Sequence, residues 1–203
     1  MKIICIGLNY RKHAMEMGRP VPGEPVVFLK PDSSLLKKNK PFFLPGFSRM
    51  IQYEAEIVLK ICRLGKSIPA KYAGRYYDEL TVGIDITARD IQNRNSEAGL
   101  PWELSKCFDG AAPLGRFIPV SSLPDLKSID FRLEINGIIV QQGNTSDMIF
   151  SFDQIIEYVS NFFTLKTGDL IFTGTPPGVG PLNKNDNLVA FIGDDPLLDF
   201  MVK

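Results

Sequence analysis

Three acidic residues are spaced so that their side chains could hold a divalent cation. Glu54 and Glu56 stand two apart in an apolar, β-branched run, Tyr53–Ile61, which predicts a strand with both side chains on one face. Neighbouring carboxylates repel unless a positive charge lies between them, and their oxygens suit magnesium, calcium or manganese. Asp85, at the end of a second predicted strand over Val82–Ile86, is the candidate third ligand. The alternative is that both glutamates belong to the solvated face of an edge strand.

A histidine and a glutamate form a second candidate group. His13 is the only histidine in the sequence, and Glu16 follows it by three positions in a segment of helical character, Asn9–Gly18. This spacing places both side chains on one helix face within contact distance. A carboxylate bonded to one imidazole nitrogen raises the basicity of the other, which suits a general base acting on water. Alternatively, His13 is a surface residue near an incidental glutamate.

Two basic residues and a glycine-rich segment complete the candidates. Lys106 lies in an apolar setting, where it could neutralise an oxyanion or a substrate carboxylate, or extend its ammonium group to the surface. Arg89 could pair with Asp90 and hold the metal ligands in place, or both could be ordinary helix charges. The segment Thr173–Gly180 lacks the Gly-Lys-Ser/Thr ending of a phosphate loop. It predicts either a tight turn that presents Thr173, Thr175 and backbone N–H groups to a ligand, or a plain turn.

The composition is that of an ordinary globular protein. The 203 residues are 44% hydrophobic, and 23 basic residues balance 23 acidic ones, so the formal net charge is zero. A nucleic-acid-binding protein would show a basic excess, and a membrane span would need about 18 successive apolar residues. We therefore expect neither nucleic acid nor membrane as a partner. The first residues predict a strand and no signal peptide, and three cysteines without a CxxC pair favour reduced thiols in a cytoplasmic protein.

Fifteen prolines and seventeen glycines divide the chain into short apolar runs, which predicts one α+β domain with a predominantly β core. Asn136-Gly137 is a hairpin signal, because both turn residues must accept a positive φ. Ser151 and Gln154 form a capping box, and residues 18–25 predict a functional loop. The predicted strands are Ile3–Ile6, Val26–Leu29, Tyr53–Ile61, Val82–Ile86, Phe131–Ile135, Ile138–Gln141 and Leu170–Phe172, and the predicted helices are Asn9–Gly18, Ala70–Leu80, Thr87–Ala98 and Ser151–Phe163.

Seven motifs follow one another in a specific order along the chain. They are Gly7-Leu8-Asn9-Tyr10 with His13 and Glu16, Phe28-Leu29-Lys30-Pro31, Tyr53-Glu54-Ala55-Glu56, Asp85-Ile86-Thr87-Ala88-Arg89-Asp90 with Gln92, Ser105-Lys106, Asn136-Gly137, and Thr173-Gly174-Thr175-Pro176 with Gly178-Val179-Gly180. This succession covers nearly the whole chain. It resembles the fumarylacetoacetate hydrolase family, in particular its short members related to acylpyruvate hydrolases and 2-hydroxyhepta-2,4-diene-1,7-dioate isomerases.

That resemblance implies a fold, a cofactor and a set of roles. The fold would be the mixed, rolled β-sheet fold of the fumarylacetoacetate hydrolase C-terminal domain, as a single catalytic domain over residues 1–203, and the protein would be a homodimer. The expected cofactor is a divalent cation, Mg²⁺ first, with Mn²⁺ or Ca²⁺ as alternatives. The implied roles are a metal triad of Glu54, Glu56 and Asp85, a catalytic set of His13, Glu16 and Lys106, and substrate-binding positions at Gln92, Thr175 and Arg89.

These features predict a metal-dependent hydrolase that cleaves a C–C bond in acylpyruvates or related small keto acids. The metal would act as a Lewis acid on the substrate's carbonyl oxygens, and His13 would deprotonate the attacking water. An isomerase of the 2-hydroxyhepta-2,4-diene-1,7-dioate type or an oxaloacetate decarboxylase would use the same site, so the motifs do not separate these reactions. A non-catalytic binding protein is a further alternative, although such a protein has no need of a base beside a metal.

Overall fold

Short strands carry most of the regular backbone in the computed structural model, which describes residues 1–36 and 40–203. The strands are β1 (Ile3–Gly7), β2 (Val26–Lys30), β3 (Ile51–Tyr53), β4 (Ala55–Ile61), β5 (Tyr77–Ile84), β6 (Thr87–Ala88), β7 (Ile118–Pro119), β8 (Asp130–Ile135), β9 (Ile138–Asn144), β10 (Leu170–Phe172), β11 (Gly180–Pro181), β12 (Asn187–Ile192) and β13 (Asp195–Met201). The α-helices are α1 (Arg11–Glu16), α2 (Ala70–Ala73), α3 (Arg89–Glu97), α4 (Glu103–Lys106) and α5 (Phe152–Phe162). Among the described residues, no helix is long and apolar enough to cross a membrane.

The strands form three sheets. Their orders are β2-β1-β10-β4-β5-β7, β11-β3-β6 and β13-β12-β8-β9. The pair β1–β10 is parallel and the other pairs are antiparallel. This mixed arrangement confirms the predicted α+β class with a β core, and it places β10, from the last third of the chain, between β1 and β4.

Apolar side chains cover both faces of β4, which explains its nearly continuous hydrophobic sequence. Ile57 and Leu59 point into the main core, whereas Val58 packs in a second cluster with Ile3 and Phe172. All five are fully buried or nearly so. A strand enclosed on both faces gives the residues at its ends a rigid support.

Two local predictions are confirmed. Asn136 and Gly137 have φ angles of 54° and 79°, as a tight hairpin turn between β8 and β9 requires. The Ser151 side chain accepts from the Gln154 N–H at 3.4 Å, and the Gln154 side chain accepts from the Ser151 N–H at 2.9 Å, so the capping box begins α5. The three cysteines are free, as predicted.

The predicted helix Ala70–Leu80 is wrong over most of its length. Helix α2 ends at Ala73, and strand β5 begins at Tyr77. Leu80 pairs with Leu59 in the ladder between β5 and β4. The pairing with an already buried strand outweighs the local helical preference of this segment.

The predicted strand Tyr53–Ile61 is in fact two strands that belong to different sheets. β3 ends at Tyr53 and β4 begins at Ala55, so the chain passes from the three-stranded sheet to the six-stranded sheet at Glu54. Glu54 and Glu56 therefore do not leave one face of a single strand, and that prediction is wrong. The predicted helix Thr87–Ala98 also begins later, at Arg89, because Thr87 and Ala88 pair with β3.

Candidate metal centre and active site

Glu54, Glu56 and Asp85 converge at one end of the β4–β5 ladder. Ala55 pairs with Ile84, and the Asp85 N–H donates to the Glu54 carbonyl oxygen at 2.8 Å. One oxygen of each carboxylate lies within 4.8 Å of the other two, and all three residues are at most 5% exposed. The structure thus brings together the three predicted metal ligands, and the alternative of a solvated edge strand is wrong.

Lys106 lies within this triad and is fully engaged by protein acceptors. Its Nζ donates to Glu54 Oε2 at 2.7 Å, to Asp85 Oδ2 at 2.8 Å and to Thr87 Oγ1 at 2.6 Å. These contacts use all three N–H bonds of the ammonium group. Lys106 is 2% exposed, so the alternative of a surface lysine is wrong. It supplies the site with a fixed positive charge.

Lys30 is a second buried lysine of the site, which the sequence analysis did not single out as a functional residue. It ends β2, and its Nζ donates to the carbonyl oxygens of Lys106 and, at 3.2 Å, Ala111. The same nitrogen lies 2.8 Å from Asp85 Oδ1. A lysine directly after an apolar β-type run was the available signal, because a buried ammonium group requires an acidic partner.

The two glutamates of the triad differ in their affinity for protons. Burial alone would raise the pKa of Glu54, but the charges of Lys106 and Arg89 outweigh it and hold that pKa well below its ordinary value. Burial raises the pKa of Glu56, and the two neighbouring carboxylates raise it further, against the lowering effect of the Gly174 N–H. Without an additional cation, Glu56 therefore keeps its proton to higher pH than an ordinary glutamate.

The donor set fits a divalent cation. Asp85 Oδ1 is buried without a hydrogen-bond partner among the described residues, because the nearby Lys30 Nζ approaches it outside hydrogen-bond geometry. A buried carboxylate oxygen that lacks a donor is costly. A hard cation would satisfy this oxygen and offset the repulsion that raises the pKa of Glu56. Oxygen ligands of this kind suit Mg²⁺, Mn²⁺ and Ca²⁺.

Arg89 and Gln92, on the first turn of α3, extend the network from the triad to the cavity beside it. The Arg89 guanidinium donates to Glu54 and to the side-chain oxygen of Gln92. The alternative that pairs Arg89 with Asp90 is wrong, since Asp90 accepts instead from the Ser48 hydroxyl at 2.6 Å. Arg89 thus holds a metal-ligand candidate directly and orients the Gln92 amide.

Gly174 and Asn9 join the glycine-rich segment to the triad. The Gly174 N–H donates to Glu56 Oε2 at 2.7 Å, with a φ of 102°, and a Cβ at this position would lie 2.6 Å from the Asn9 Cβ. Only glycine fits there. Asn9 is buried and donates to the carbonyl oxygens of Thr173 at 2.8 Å and Phe150 at 3.0 Å. Asn9 belongs to the first of the seven motifs, and this role was not predicted for it.

Thr175 and Gln141 hold the same segment against the strand that carries the triad. The Thr175 hydroxyl donates to the Ala55 carbonyl oxygen at 2.9 Å and accepts from Gln141 Nε2 at 3.0 Å. Gln141 also accepts from the Ala55 N–H at 2.9 Å and donates to the Pro176 carbonyl oxygen at 2.9 Å. Gln141 was not predicted as a site residue. No local pattern marks it, because its partners are far away in sequence.

His13 and Glu16 form the predicted contact on α1. His13 Nδ1 lies 3.1 Å from Glu16 Oε2, and Glu16 Oε1 accepts from the Gly178 N–H at 3.0 Å. His13 is 4% exposed, so the alternative of a surface histidine is wrong. An imidazole that donates from Nδ1 to a carboxylate has its lone pair on Nε2, which is the arrangement that a general base needs.

A single small cavity connects these groups. Its volume is about 60 Å³, which is room for roughly four water molecules. Phe28 and Trp102 form an apolar wall, with their ring centroids 5.8 Å apart, and Met17 and Arg19 contribute from the segment after α1. Of the predicted site residues, Glu16 reaches the cavity through His13. The others line it directly: His13, Glu54, Glu56, Asp85, Arg89, Gln92, Lys106 and Thr175.

Comparison with known proteins agrees with this geometry. The model of the fumarylacetoacetate (FAA) hydrolase C-terminal family matches residues 2–197. The mitochondrial oxaloacetate tautomerase FAHD1 of Mus musculus is 40% identical over 201 residues, which are 99% of this chain and 91% of that protein. The oxaloacetate tautomerase YcgM of Escherichia coli (strain K12) is 40% identical over 194 residues, which are 95% of this chain and 89% of that protein.

A solved structure extends the comparison to three dimensions. Fumarylpyruvate hydrolase from Pseudomonas aeruginosa, in complex with Mn²⁺ and pyruvate, superposes with a TM-score of 0.93 at 33% identity, covering 100% of this chain and 89% of that one. These named relatives are enzymes, as the sequence predicts for this protein. With a family match over almost its full length and a fold shared with that hydrolase, this chain belongs to the fumarylacetoacetate hydrolase family.

Proposed function

We propose that this protein is a divalent-metal-dependent keto–enol tautomerase of oxaloacetate or a closely similar small 2-oxo acid. The observation that carries the proposal is the buried carboxylate triad, in which Asp85 Oδ1 has an ion-pair partner but no hydrogen bond among the described residues, in the same small cavity as His13. Two oxaloacetate tautomerases, from a mammal and a bacterium, are each 40% identical to this chain. Both similarities extend over nearly the whole chain, which supports a shared reaction.

The reaction moves one proton between the C2 oxygen and C3 and breaks no carbon–carbon bond. His13 is the candidate for this transfer, because Glu16 occupies its Nδ1 and Nε2 is left to serve as base and acid. Glu16 is itself held by the Gly178 N–H, so the imidazole is oriented before substrate binds. Lys106 supplies a fixed positive charge beside the reacting oxygen. When bound, a divalent cation held by the triad would add Lewis-acid stabilisation of that oxygen.

The charges around the triad favour an anionic substrate. Lys30, Lys106 and Arg89 balance the three carboxylates. A bound divalent cation would therefore leave an excess of two positive charges in a buried site, and a 2-oxo acid would offset it. The cavity of about 60 Å³ favours a small substrate. We expect Mg²⁺ as the native cation, with Mn²⁺, which the structure of the Pseudomonas aeruginosa relative contains, as an alternative.

Hydrolysis of an acylpyruvate, the reaction predicted from the sequence, is the second candidate. The contact between His13 and Glu16 favours it, because an oriented imidazole can also activate water. The similarity to fumarylpyruvate hydrolase supports the same reaction. Decarboxylation of oxaloacetate would use the same groups.

A homodimer and a cytoplasmic location remain predictions.

Assays on EDTA-stripped protein, with Mg²⁺ or Mn²⁺ added back, would separate these reactions. Enol-oxaloacetate is the first substrate, with its ultraviolet absorbance followed directly and malate dehydrogenase reporting the keto form. Lactate dehydrogenase reports any pyruvate, from oxaloacetate or from acetylpyruvate. We expect metal-dependent loss of the enol, above the rate with metal alone, without pyruvate release.

The experiment includes one variant of the metal triad, one control variant, and results that would favour a different reaction. Glu56→Gln is expected to abolish the acceleration, whereas Glu103→Gln, which alters an exposed glutamate outside the cavity, is expected to retain it. Pyruvate released from acetylpyruvate, in place of enol loss, would support the hydrolase, and pyruvate released from oxaloacetate would support the decarboxylase. If the protein accelerates none of the three reactions, the proposed function is wrong.

A further inference from the structure

The cavity is lined by three cationic side chains, of which two are engaged by the protein. Lys106 donates to three acceptors, and Arg89 donates to Glu54, Gln92 and a further glutamine. Arg19 is the third. Its side chain is exposed, and it makes no ion pair or hydrogen bond with any residue in the described ranges 1–36 and 40–203.

The position of Arg19 beside the cavity is set by its backbone. Its N–H donates to the Ala14 carbonyl oxygen at 2.9 Å, at the end of the helix that carries His13. The triad belongs to different elements, the ends of β4 and β5. Arg19 and the triad therefore line the cavity from different elements, and a substrate whose 2-oxo acid end lies at the triad can offer Arg19 a second group.

We propose that Arg19 binds a second, distal carboxylate of the substrate and so selects dicarboxylic over monocarboxylic 2-oxo acids. This inference rests on the proposed function, which places the 2-oxo acid end at the triad. A distal carboxylate beside Phe28 and Trp102 would lose hydration, so it needs a cationic partner. A guanidinium matches a carboxylate with two parallel N–H donors.

Long-range attraction of anions by Arg19 makes different predictions from direct contact. Attraction would favour both classes of acid, the dianion more than the monoanion, but it would weaken with salt and would be preserved by a lysine. A two-donor contact depends on the guanidinium geometry, so Arg19→Lys is expected to recover only part of the selectivity. The salt dependence of the substrate ratio and the lysine variant together distinguish the two effects.

The kinetic test compares Arg19→Gln with Arg11→Gln, which removes an exposed arginine of the preceding helix α1 that does not line the cavity. The measured quantity is kcat/KM for enol-oxaloacetate divided by kcat/KM for enol-acetylpyruvate, a monocarboxylate. We expect this ratio to fall about tenfold in Arg19→Gln, equivalent to about 1.4 kcal/mol, and to be unchanged in Arg11→Gln. If Arg19→Gln leaves this ratio unchanged, whether kcat/KM is retained or falls equally for both substrates, the inference is wrong.

A binding test decides the inference even if the protein is not a tautomerase. Malate and lactate do not tautomerise, and malate differs from lactate by one added carboxyl group. Calorimetry of the Mg²⁺-loaded protein is expected to show tighter binding of malate, and about a tenfold loss of malate affinity in Arg19→Gln. Equal affinities for the two acids in the unaltered protein, or full malate affinity in Arg19→Gln, would overturn the role of Arg19. Failure of the tautomerase assay alone would overturn only the proposed function.

Discussion

Glu54 and Glu56 are separated by one residue, yet they have opposite electrostatic surroundings. Glu54 contacts two cations, Lys106 and Arg89, and its pKa is held low although burial opposes this. Glu56 accepts a hydrogen bond from the backbone N–H of Gly174, and burial with its acidic neighbours raises its pKa. Glu56 is therefore the ligand whose charge depends most on a bound cation.

Replacing Glu56 by glutamine tests this assignment. Without metal we expect Glu56→Gln to be as stable as the unaltered protein or more stable, because the change removes repulsion from a buried cluster. A free metal concentration about 100 times the Kd would stabilise the unaltered protein by about 2.7 kcal/mol. The same concentration would stabilise the variant much less. Thermal unfolding with and without Mg²⁺ measures both effects, with Glu103→Gln as the control. An equal metal response in the two variants would exclude Glu56 as a ligand.

Replacing His13 separates proton transfer from metal binding. We expect His13→Gln to lower kcat about 100-fold or more, because the proton-transfer group is lost while the triad is untouched. The Mg²⁺-dependent rise in Tm should remain. Lys12→Gln, which changes the exposed neighbour on α1, should keep kcat. Full activity of His13→Gln on the true substrate would refute the role of general base.

At the scale of elements, the hairpin strand β9 supports a site to which it contributes no predicted catalytic group. Gln141 extends from β9 to the Ala55 N–H, between the two glutamates of the triad, and to the Thr175–Pro176 turn. One buried amide therefore joins three elements.

Gln141→Leu should destabilise the protein and weaken its metal site. The change keeps a similar volume but leaves the Ala55 N–H without its acceptor, which costs about 1–3 kcal/mol for each unsatisfied group. Urea unfolding and Mg²⁺ titration measure the two losses. Gln142→Leu, at the next and exposed position of the strand, is the matched control. Equal stability of the two variants would show that Gln141 is dispensable for the fold.

At the scale of the whole molecule, Asp169 joins the first strand to the last third of the chain. Its carboxylate accepts from the Lys2 ammonium group, from the Lys2 N–H at 2.9 Å and from the Lys166 N–H at 2.7 Å. Burial opposes ionisation, but these donors hold the pKa of Asp169 below its ordinary value. The contact lies beside the parallel pairing of β1 with β10, which depends on residues about 167 positions apart.

Asp169→Asn should lower stability at neutral pH and have little effect in acid. Because the pKa of Asp169 is lowered in the folded state, its carboxylate contributes fully to the free energy of unfolding above the unfolded-state pKa of about 3.9. That contribution is lost as the pH falls through the folded-state pKa. We expect a loss of about 1–2 kcal/mol at neutral pH, after allowance for solvent screening of Lys2. Urea unfolding at two pH values measures it, with Asp109→Asn as an exposed control. If the unaltered protein and Asp169→Asn still differ in their free energy of unfolding below the folded-state pKa of Asp169, the charge-based explanation is wrong.

The expected homodimer is the second prediction at this scale. It rests on the resemblance to the family alone. Light scattering of the purified protein should give twice the mass of one chain. A monomer at micromolar concentration would show that this protein departs from that resemblance.

The sequence by itself determined the features whose physical causes are local or cumulative. The hairpin at Asn136-Gly137, the capping box at Ser151 and the His13–Glu16 contact each depend on residues within a few positions of one another. The α+β class follows from many short apolar runs, and the family follows from the order of motifs. All nine predicted site residues belong to one connected cluster, although their roles remain proposals.

Tertiary structure decided what depends on partners distant in the chain. Strand β5 occupies most of a predicted helix because Leu80 pairs with the buried β4. The predicted strand Tyr53–Ile61 is interrupted at Glu54 because β3 and β4 belong to different sheets. Lys30 and Gln141 became site residues only through contacts with segments that lie far from them in sequence. Pairing and burial energies arise only when such segments meet, and no local pattern in the sequence records them.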